Sequence, residues 1–329
     1  MVANVILAFI KYASVHYRDE KGKPTGEVEE FRAAYGPLMD LYGHIPAAEF
    51  GPLAMQAVRQ KMIDNDWCRN RVNKQVSRIR RIFKWAASQE LVPVELPHGL
   101  ACVQGLQRGR TTARESDPVL PVDREVVEKT LPFVSRQVRT MVRLQLLTGM
   151  RPGEVCGMKW GLIDRTGEMW VYRPVKHKTA HHGKARTIAI GPKAKELLLE
   201  YIGDKLPNPG EPIFSPKDAR EERYQAMRDA RVSKVQPSQA NRRKKSPTRA
   251  PGTAYTSRAY NFAIYKAAEK AGVPNWSPNR LRHTFGTEVR KAFGLEAAQV
   301  LLGHSKADVT QVYAARDLAL ASKVANEVG

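Results

Sequence analysis

The sequence predicts a mainly α-helical protein with a small antiparallel β-sheet, in which a helical N-terminal domain precedes an α+β domain. Apolar residues recur at three- and four-residue steps through residues 1–90 and in several segments after residue 121, as on amphipathic helices. Three short strand-like runs, GLID, MWVYRPV and ARTIAI, lie between residues 161 and 190 and are joined by turns rich in Gly and His. A chain of 329 residues is long enough for two hydrophobic cores.

The chain is strongly basic, with 54 Lys and Arg residues against 33 Asp and Glu, a formal net charge of +21 and a pI near 10. This excess favours a polyanionic partner, most simply nucleic acid, because Lys and Arg that contact phosphates release counterions. Charge alone leaves open a solubilising surface or a protein of the membrane surface.

The cysteines fit a reducing compartment, and the N-terminus lacks the pattern of an export signal. Cys68, Cys102 and Cys156 lie far apart and match no zinc or disulfide spacing, which argues against a structural metal. Residues 1–17 have no basic segment ahead of the apolar one and are too short and interrupted to span a bilayer. We therefore expect a cytoplasmic protein that does not cross a membrane.

Residues 1–92 are predicted to form the helical domain, and its last helix is strongly basic. The stretch CRNRVNKQVSRIRRIFKWAASQ has an apolar stripe from Val72 to Ala86, and Lys and Arg occupy the rest of the surface. Charged faces are usually only solvated, but this one carries a single sign, which favours contact with DNA. The candidate DNA-binding residues are Arg69, Lys74, Arg78, Arg81 and Lys84.

Residues 93–120 break the helical pattern with Pro, Gly and Arg and are predicted to be an interdomain linker. The second domain is predicted over residues 121–316. Within it, residues 231–250 hold seven Lys and Arg and no acidic residue, together with Pro, Ser and Gln, which predicts a flexible basic insertion. It could serve as a nuclear-localisation-like signal, a DNA-contacting loop or a disordered connector, of which the last two are compatible with each other and favoured. Its candidate DNA-binding residues are Arg242, Arg243, Lys244 and Lys245.

The first segment that could carry chemistry is TGMRPGE, residues 148–154. Arg151 follows a Thr-Gly turn at a predicted helix start, and Glu154 lies three residues later. An arginine in this position can donate its fork to a phosphate while the carboxylate fixes its angle.

The second segment is SPNRLRHTFGTEVRKA, residues 277–292, where Ser277 is a predicted N-cap and Pro278 the first helical residue. Asn279 and Arg282 share a helix face, opposite an apolar packing face. An ordinary surface ion pair explains Arg282 when it is taken alone. Two arginines from different segments can bind both non-bridging oxygens of one phosphodiester and stabilise a pentacoordinate phosphorane without a metal.

The third segment, LLGHSKADVTQVYAARD, covers residues 301–317. A short helix is predicted to end at Gly303 with a left-handed cap, and Ser305 with Asp308 resembles a capping box that opens another helix. His304 would then lie in the bend, where it could approach Tyr313 two turns into the next helix.

These three segments, in this order, resemble the arginine boxes and the nucleophile box of the tyrosine recombinase (phage integrase) family over residues 125–316. The resemblance implies a two-domain architecture, with a helical core-binding domain and an α+β catalytic domain. It also implies a site-specific recombinase that cuts and rejoins DNA through a 3′-phosphotyrosyl intermediate, as an integrase or a mobile-element recombinase.

The resemblance assigns roles residue by residue. Tyr313 attacks the scissile phosphate, which Arg151 and Arg282 clamp and His304 hydrogen-bonds. Lys178 is the general acid that protonates the leaving oxygen, with Lys176 as the alternative. Supporting roles fall to Glu154 and His283, and the family requires neither a cofactor nor a metal.

One position departs from the family pattern, because Asn279 stands where a histidine is usual in His-x-x-Arg-His. An amide can donate a hydrogen bond to phosphate but cannot transfer a proton. The proton acceptor for the nucleophile is therefore left open. The neighbouring cluster His177, His181 and His182 is interpreted as part of a DNA-facing turn rather than as a metal site.

The partners implied are double-stranded DNA and further copies of the chain, most simply a tetramer on DNA, with accessory DNA-bending proteins possible. Residues 317–329 form a tail that either docks on a neighbouring subunit or frays. Two other hypotheses use the same scaffold: a type IB topoisomerase-like nicking-closing enzyme, and a non-catalytic DNA-binding protein. An N-terminal arm-binding module is either absent or lies outside this sequence.

Overall fold

The structure is a computed structural model that describes residues 1–18, 22–175, 186–204, 206–234, 236 and 252–303. Within these residues the chain forms twelve α-helices and one three-stranded antiparallel sheet, which confirms the predicted fold class. The chain divides into two compact units, Met1–Pro118 and Val119–Gly329. None of the helices in the described ranges is long and apolar enough to cross a membrane.

The first unit is all helical. Its elements are α1 (Val2–His16), α2 (Glu27–Tyr42), α3 (Pro52–Asp64), α4 (Arg69–Ser88) and α5 (Leu96–Ala101). The apolar stripe predicted on α4 is buried along its whole length and packs into a core that contains the rings of Phe9, Phe31, Phe50 and Phe83.

The segment predicted as a linker, residues 93–120, contributes much of its length to the first unit. It contains α5, and Leu100 and Val103 are part of the core. The side-chain amide of Asn73 on α4 donates to the carbonyl of Leu106 at 3.0 Å and accepts from its backbone N–H at 2.8 Å. The Pro, Gly and Arg composition of this segment did not by itself distinguish a packed segment from a free linker.

The second unit begins with α6 (Arg124–Thr130), α7 (Arg136–Thr148) and α8 (Pro152–Cys156). The sheet follows, in the order β1 (Ile163–Asp164), β2 (Trp170–Tyr172), β3 (Ile188–Ile190), with antiparallel pairing throughout. The unit continues with α9 (Pro192–Ile202), α10 (Pro216–Asp229), α11 (Ser257–Ala271) and α12 (Asn279–Leu302). Alternate residues of β2 and β3 are buried, so one face of the sheet packs on the core.

Helix α12 is two helical segments joined at Gly294, whose φ of 86° and ψ of 177° interrupt the helix. The second segment ends at Gly303 in the left-handed conformation, with a φ of 63°, as the sequence predicted. The predicted N-cap differs: the helix begins at Asn279, and no side chain caps its start. Pro278 occupies the N-cap position, one residue later than expected, and its backbone is already helical because proline presets the φ that the first turn needs.

Gly149 and Gly272 offer a matched pair for measuring the packing between α7 and α12. Both end a helix in the left-handed region, with φ of 63° and 65°. A Cβ on Gly149 would lie 2.3 Å from the ring of Phe285, whereas one on Gly272 would meet nothing within 4 Å.

We expect Gly272→Ala to lower the free energy of unfolding by about 1–2 kcal/mol, the cost of a left-handed alanine. Gly149→Ala should lose about 1–3 kcal/mol more, because the Phe285 ring must move. Urea denaturation of both variants measures the difference. If both variants lose the same free energy of unfolding, the Phe285 ring on α12 moves away from the added methyl group without an energetic cost.

Candidate active site

Arg151 is held by the carboxylate of Glu154, as its spacing predicted. Glu154 Oε2 accepts the backbone N–H of Arg151 at 2.7 Å, and Oε1 accepts Nη1 at 2.9 Å. The Glu154 side chain is 2% exposed and the Arg151 side chain 26% exposed. The carboxylate therefore fixes both the backbone and the guanidinium of Arg151, while part of the fork still faces solvent.

Arg282 has a different environment, since it is completely buried. Its Nη1 donates to the carbonyl of Gly149 at 2.6 Å, and its Nη2 donates to the carbonyl of Leu302 at 2.6 Å. These carbonyls end α7 and α12, where the helix dipoles carry partial negative charge. The two helix ends thus stabilise a buried cation that would otherwise be costly.

Arg186, just before β3, also belongs to this cluster, although it was not predicted from the sequence. Its Nε lies 3.5 Å from Glu154 Oε1, and its side chain is 6% exposed. Its two Nη atoms lie 3.5 Å from the carbonyl of Leu301 near the end of α12. The only signal in the sequence was an arginine directly before an apolar strand.

Burial lowers the pKa of Arg186, the carboxylate of Glu154 opposes this shift, and the charge of Arg151 adds to it. The residue remains a cation, because the reference pKa of arginine lies far above neutrality. The buried carboxylate of Glu154 thus lies between two positively charged guanidinium groups, those of Arg151 and Arg186.

Asn279 is exposed at the start of α12, one turn before the buried His283. The Asn279 Nδ2 and His283 Nε2 atoms are 3.5 Å apart. Burial, and then the charges of Arg282 and Arg280, lower the pKa of His283 to about 4. The imidazole is therefore neutral at pH 7, and its Nε2 can accept a hydrogen bond from the amide. The expectation that His283 packs as a supporting residue agrees with this position.

The other predicted site residues lie outside the described residues. These are Lys178, its alternative Lys176, His304, Tyr313, and the basic residues Arg242, Arg243, Lys244 and Lys245. The histidines of the predicted DNA-facing turn, His177, His181 and His182, and the tail at 317–329 fall outside as well.

The basic face predicted on α4 divides into two groups, of which the first is engaged within the protein. Arg69 forms a two-point ion pair with Glu115. Arg78 and Arg81 both bind Glu27 on α2, each at 3.0 Å. These arginines are thus bound to carboxylates of the same unit.

Lys74 and Lys84 form the second group. Both are exposed, and neither has an ion-pair partner in the part of the chain that the structure describes. On this helix they are the predicted residues whose charge faces solvent without a neighbouring carboxylate.

A helical first unit, and a second unit with a small sheet and two box arginines, fit a tyrosine-type DNA recombinase, and the family match shows that class. The sequence pattern of the Phage integrase family matches residues 122–319, more than half of the chain. The chain belongs to this family, which confirms the resemblance seen in the sequence. As a family member it is a site-specific recombinase.

Curated relatives match most of the chain at low identity. Tyrosine recombinase XerC of Bacillus pumilus (strain SAFR-032) is 28% identical over 74% of this chain and 70% of the relative. Tyrosine recombinase XerC of Xylella fastidiosa (strain 9a5c) is 21% identical over 77% of this chain and 72% of the relative.

Solved structures match the fold over almost the whole chain. A lambda integrase(75-356) dimer bound to a COC' core site aligns with a TM-score of 0.65 and 15% identity, over 94% of both chains. The Tn1549 transposon integrase in complex with circular intermediate DNA aligns with a TM-score of 0.63 and 16% identity, over 98% of both chains. A lambda integrase tetramer bound to a Holliday junction has a TM-score of 0.64 and 15% identity, over 95% of this chain and 76% of that one.

The lowered pKa of His283 predicts a pH-dependent stability. The unfolded histidine takes up a proton near its reference pKa of about 6.5, whereas the folded one resists protonation until about pH 4. Between these values the unfolded state binds more protons, so this contribution to stability is present above pH 6.5 and is lost as the pH falls toward 4.

We expect His283→Gln to reduce the difference in unfolding free energy between pH 7 and pH 4.5 by about 1–3 kcal/mol. Denaturant titrations at both pH values measure it. His16→Gln, a substitution of an exposed histidine in the first unit, serves as the control and should leave the difference unchanged. An unchanged difference in His283→Gln would show that the buried imidazole is protonated as easily as a free one.

Proposed function

We propose that this recombinase cuts and rejoins double-stranded DNA through a 3′-phosphotyrosyl intermediate, as an integrase or a mobile-element recombinase. The observation that carries the proposal is the Arg151 fork, which Glu154 fixes and which stays partly exposed. The buried Arg282 binds the carbonyl of Gly149, two residues before Arg151. The fork has the geometry to bind a phosphate in two places. The integrase role is supported by the phage and transposon integrases that share the fold.

In the proposed reaction the Tyr313 oxygen attacks the scissile phosphorus, and the bond to the 5′ oxygen of the DNA breaks. Lys178, or Lys176 in its place, gives a proton to that leaving oxygen. A phenol with a pKa near 10 is a weak nucleophile at pH 7, so surrounding positive charge and a proton acceptor are needed. Attack of the freed 5′ hydroxyl on the phosphotyrosine reverses these steps and rejoins a strand.

Arg151 neutralises charge on the non-bridging oxygens as the phosphorane forms. Arg282 is the second arginine of the proposed clamp. It is buried in this structure, and its hydrogen bonds to Gly149 and Leu302 hold the first box against the end of α12. Asn279 can donate a hydrogen bond to the phosphate but leaves the proton of Tyr313 to another acceptor, His304 or water.

The proposed assembly is a homo-oligomer on DNA, most simply a tetramer, in which residues 317–329 dock on a neighbouring subunit. The lambda integrase tetramer on a Holliday junction supports the stoichiometry through the shared fold. Accessory DNA-bending proteins would act on the DNA outside the catalytic cluster.

The covalent step is tested with Tyr313→Phe and, as a matched control, Tyr224→Phe, which changes a partly exposed tyrosine of α10. Wild type and control, incubated with a library of nicked random-sequence duplexes, should form adducts that survive denaturation. Tyr313→Phe should retain DNA binding but form none, because the nucleophilic oxygen is gone.

Sequencing of the trapped DNA gives the target site, and a plasmid with two such sites separates recombination from simple nicking and closing. Adducts with Tyr313→Phe would place the nucleophile elsewhere. A wild type that binds DNA and forms no adduct would be a non-catalytic binding protein.

For the first unit we propose that Lys74 and Lys84 contact DNA phosphates, because their charges face solvent without a carboxylate partner among the described residues. Lys74→Ala and Lys84→Ala should each weaken binding to all sequences alike and reduce the slope of log K against log salt by about 1. Lys11→Ala, an exposed lysine on α1, makes the same charge change as a control. Fluorescence anisotropy from low to moderate salt measures all three. If Lys11→Ala changes the slope by as much, the effect of Lys74→Ala and Lys84→Ala comes from the lower net charge and not from lost contacts with DNA phosphates.

A further inference from the structure

The Glu154 carboxylate is a junction between two arginines from separate parts of the second unit. Its Oε1 lies 2.9 Å from Arg151 Nη1 and 3.5 Å from Arg186 Nε. Its Oε2 accepts the Arg151 backbone N–H. Any rotation of the carboxylate would therefore move Arg151 at both its backbone and its side chain.

The far end of the Arg186 side chain packs against the end of α12. Both Nη atoms lie 3.5 Å from the Leu301 carbonyl. A Cβ built on Gly303 would come within 2.1 Å of Arg186 Nη1, so the end of the guanidinium lies directly against this glycine. Arg186 thus spans from Glu154 to the last residues of α12.

We propose that Arg186 is a positioning residue for the first arginine box. It holds the Glu154 carboxylate in the one orientation that fixes Arg151, and it spaces this carboxylate from the end of α12. This inference rests on the proposed function, in which Arg151 binds the scissile phosphate. The role requires no contact between Arg186 and DNA, in keeping with its burial.

The chemistry of arginine suits this role. Its guanidinium is flat and donates in several directions, so that Nε can face the carboxylate while the Nη atoms face the Leu301 carbonyl. A lysine provides one ammonium at one point and can replace only one of the two contacts. Glutamine at this position would leave the carboxylate with Arg151 as its only charged partner among the described residues.

The first test compares Arg186→Gln and Arg186→Lys with Arg173→Gln. Arg173 pairs with Asp164 at 3.1 Å beside the same sheet, and its side chain is 59% exposed, so this control removes an ion pair outside the cluster. On the target site obtained by sequencing the trapped DNA, single-turnover cleavage at saturating DNA should fall about tenfold to a hundredfold in Arg186→Gln, because the buried Glu154 carboxylate loses one of its two charged partners. The Kd for DNA should stay within about twofold, and Arg173→Gln should match wild type.

Arg186→Lys should recover part of the cleavage rate. A fall in DNA affinity with an unchanged cleavage rate would overturn the proposal, since it would make Arg186 a binding residue. Cleavage by Arg186→Gln at the wild-type rate would overturn it as well.

The second test asks whether Arg186 acts through Glu154. In the Glu154→Gln background, Arg186→Gln should slow cleavage by less than about threefold, because the carboxylate that it orients is gone. If Arg186→Gln slows cleavage by the same factor with and without Glu154→Gln, Arg186 does not act on Arg151 by way of Glu154.

The third test does not depend on cleavage. Hydrogen exchange followed by mass spectrometry should show faster exchange in the peptide containing the Arg151 N–H for Arg186→Gln, but not for Arg173→Gln. Unchanged exchange, or exchange that rises equally throughout the second unit, would overturn the positioning role. If the wild type forms no covalent adduct, the proposed function fails, and this exchange measurement still decides the position of Arg186.

Discussion

The guanidinium of Arg282 binds the carbonyl oxygens that end α7 and α12, and the geometry around the candidate site depends on this contact. A buried charge that loses its partners costs about 3–5 kcal/mol. The two helix ends must therefore stay where both carbonyls reach the same cation. Gly149 and Gly303 allow this arrangement, because each ends its helix in the left-handed conformation and each has a side chain pressed against its Cα.

Two cations, Arg151 and Arg186, meet one carboxylate, Glu154. The third cation, Arg282, is bound close by in the chain, at the carbonyls of Gly149 and Leu302. The carboxylate and the helix ends offset part of the positive charge, and a surplus remains in a poorly solvated environment. Electrostatic attraction is strong in such an environment. Of the three arginines, Arg151 has the guanidinium with substantial exposure, so an arriving phosphate would meet it first.

The first unit shows that the net charge of a helix differs from the charge it presents to a partner. Arg69, Arg78 and Arg81 belong to the basic surface of α4, yet carboxylates on α2 and on the segment after α5 bind them. These ion pairs connect α4 to neighbours that an apolar stripe alone would hold less specifically. Lys74 and Lys84 keep their charges facing solvent.

Local spacing along the chain was enough to predict the fold class, the family, and the pairing of Arg151 with Glu154. Amphipathic periods, a capping glycine and an i to i+3 carboxylate act within one or two turns of chain. The partners of Arg282, the place of Arg186, and the ion pairs of Arg78 and Arg81 emerged only from the three-dimensional packing. Each of these joins residues far apart in the chain, such as Arg282 with Gly149, and no local pattern records which distant carbonyl or carboxylate will accept a buried guanidinium.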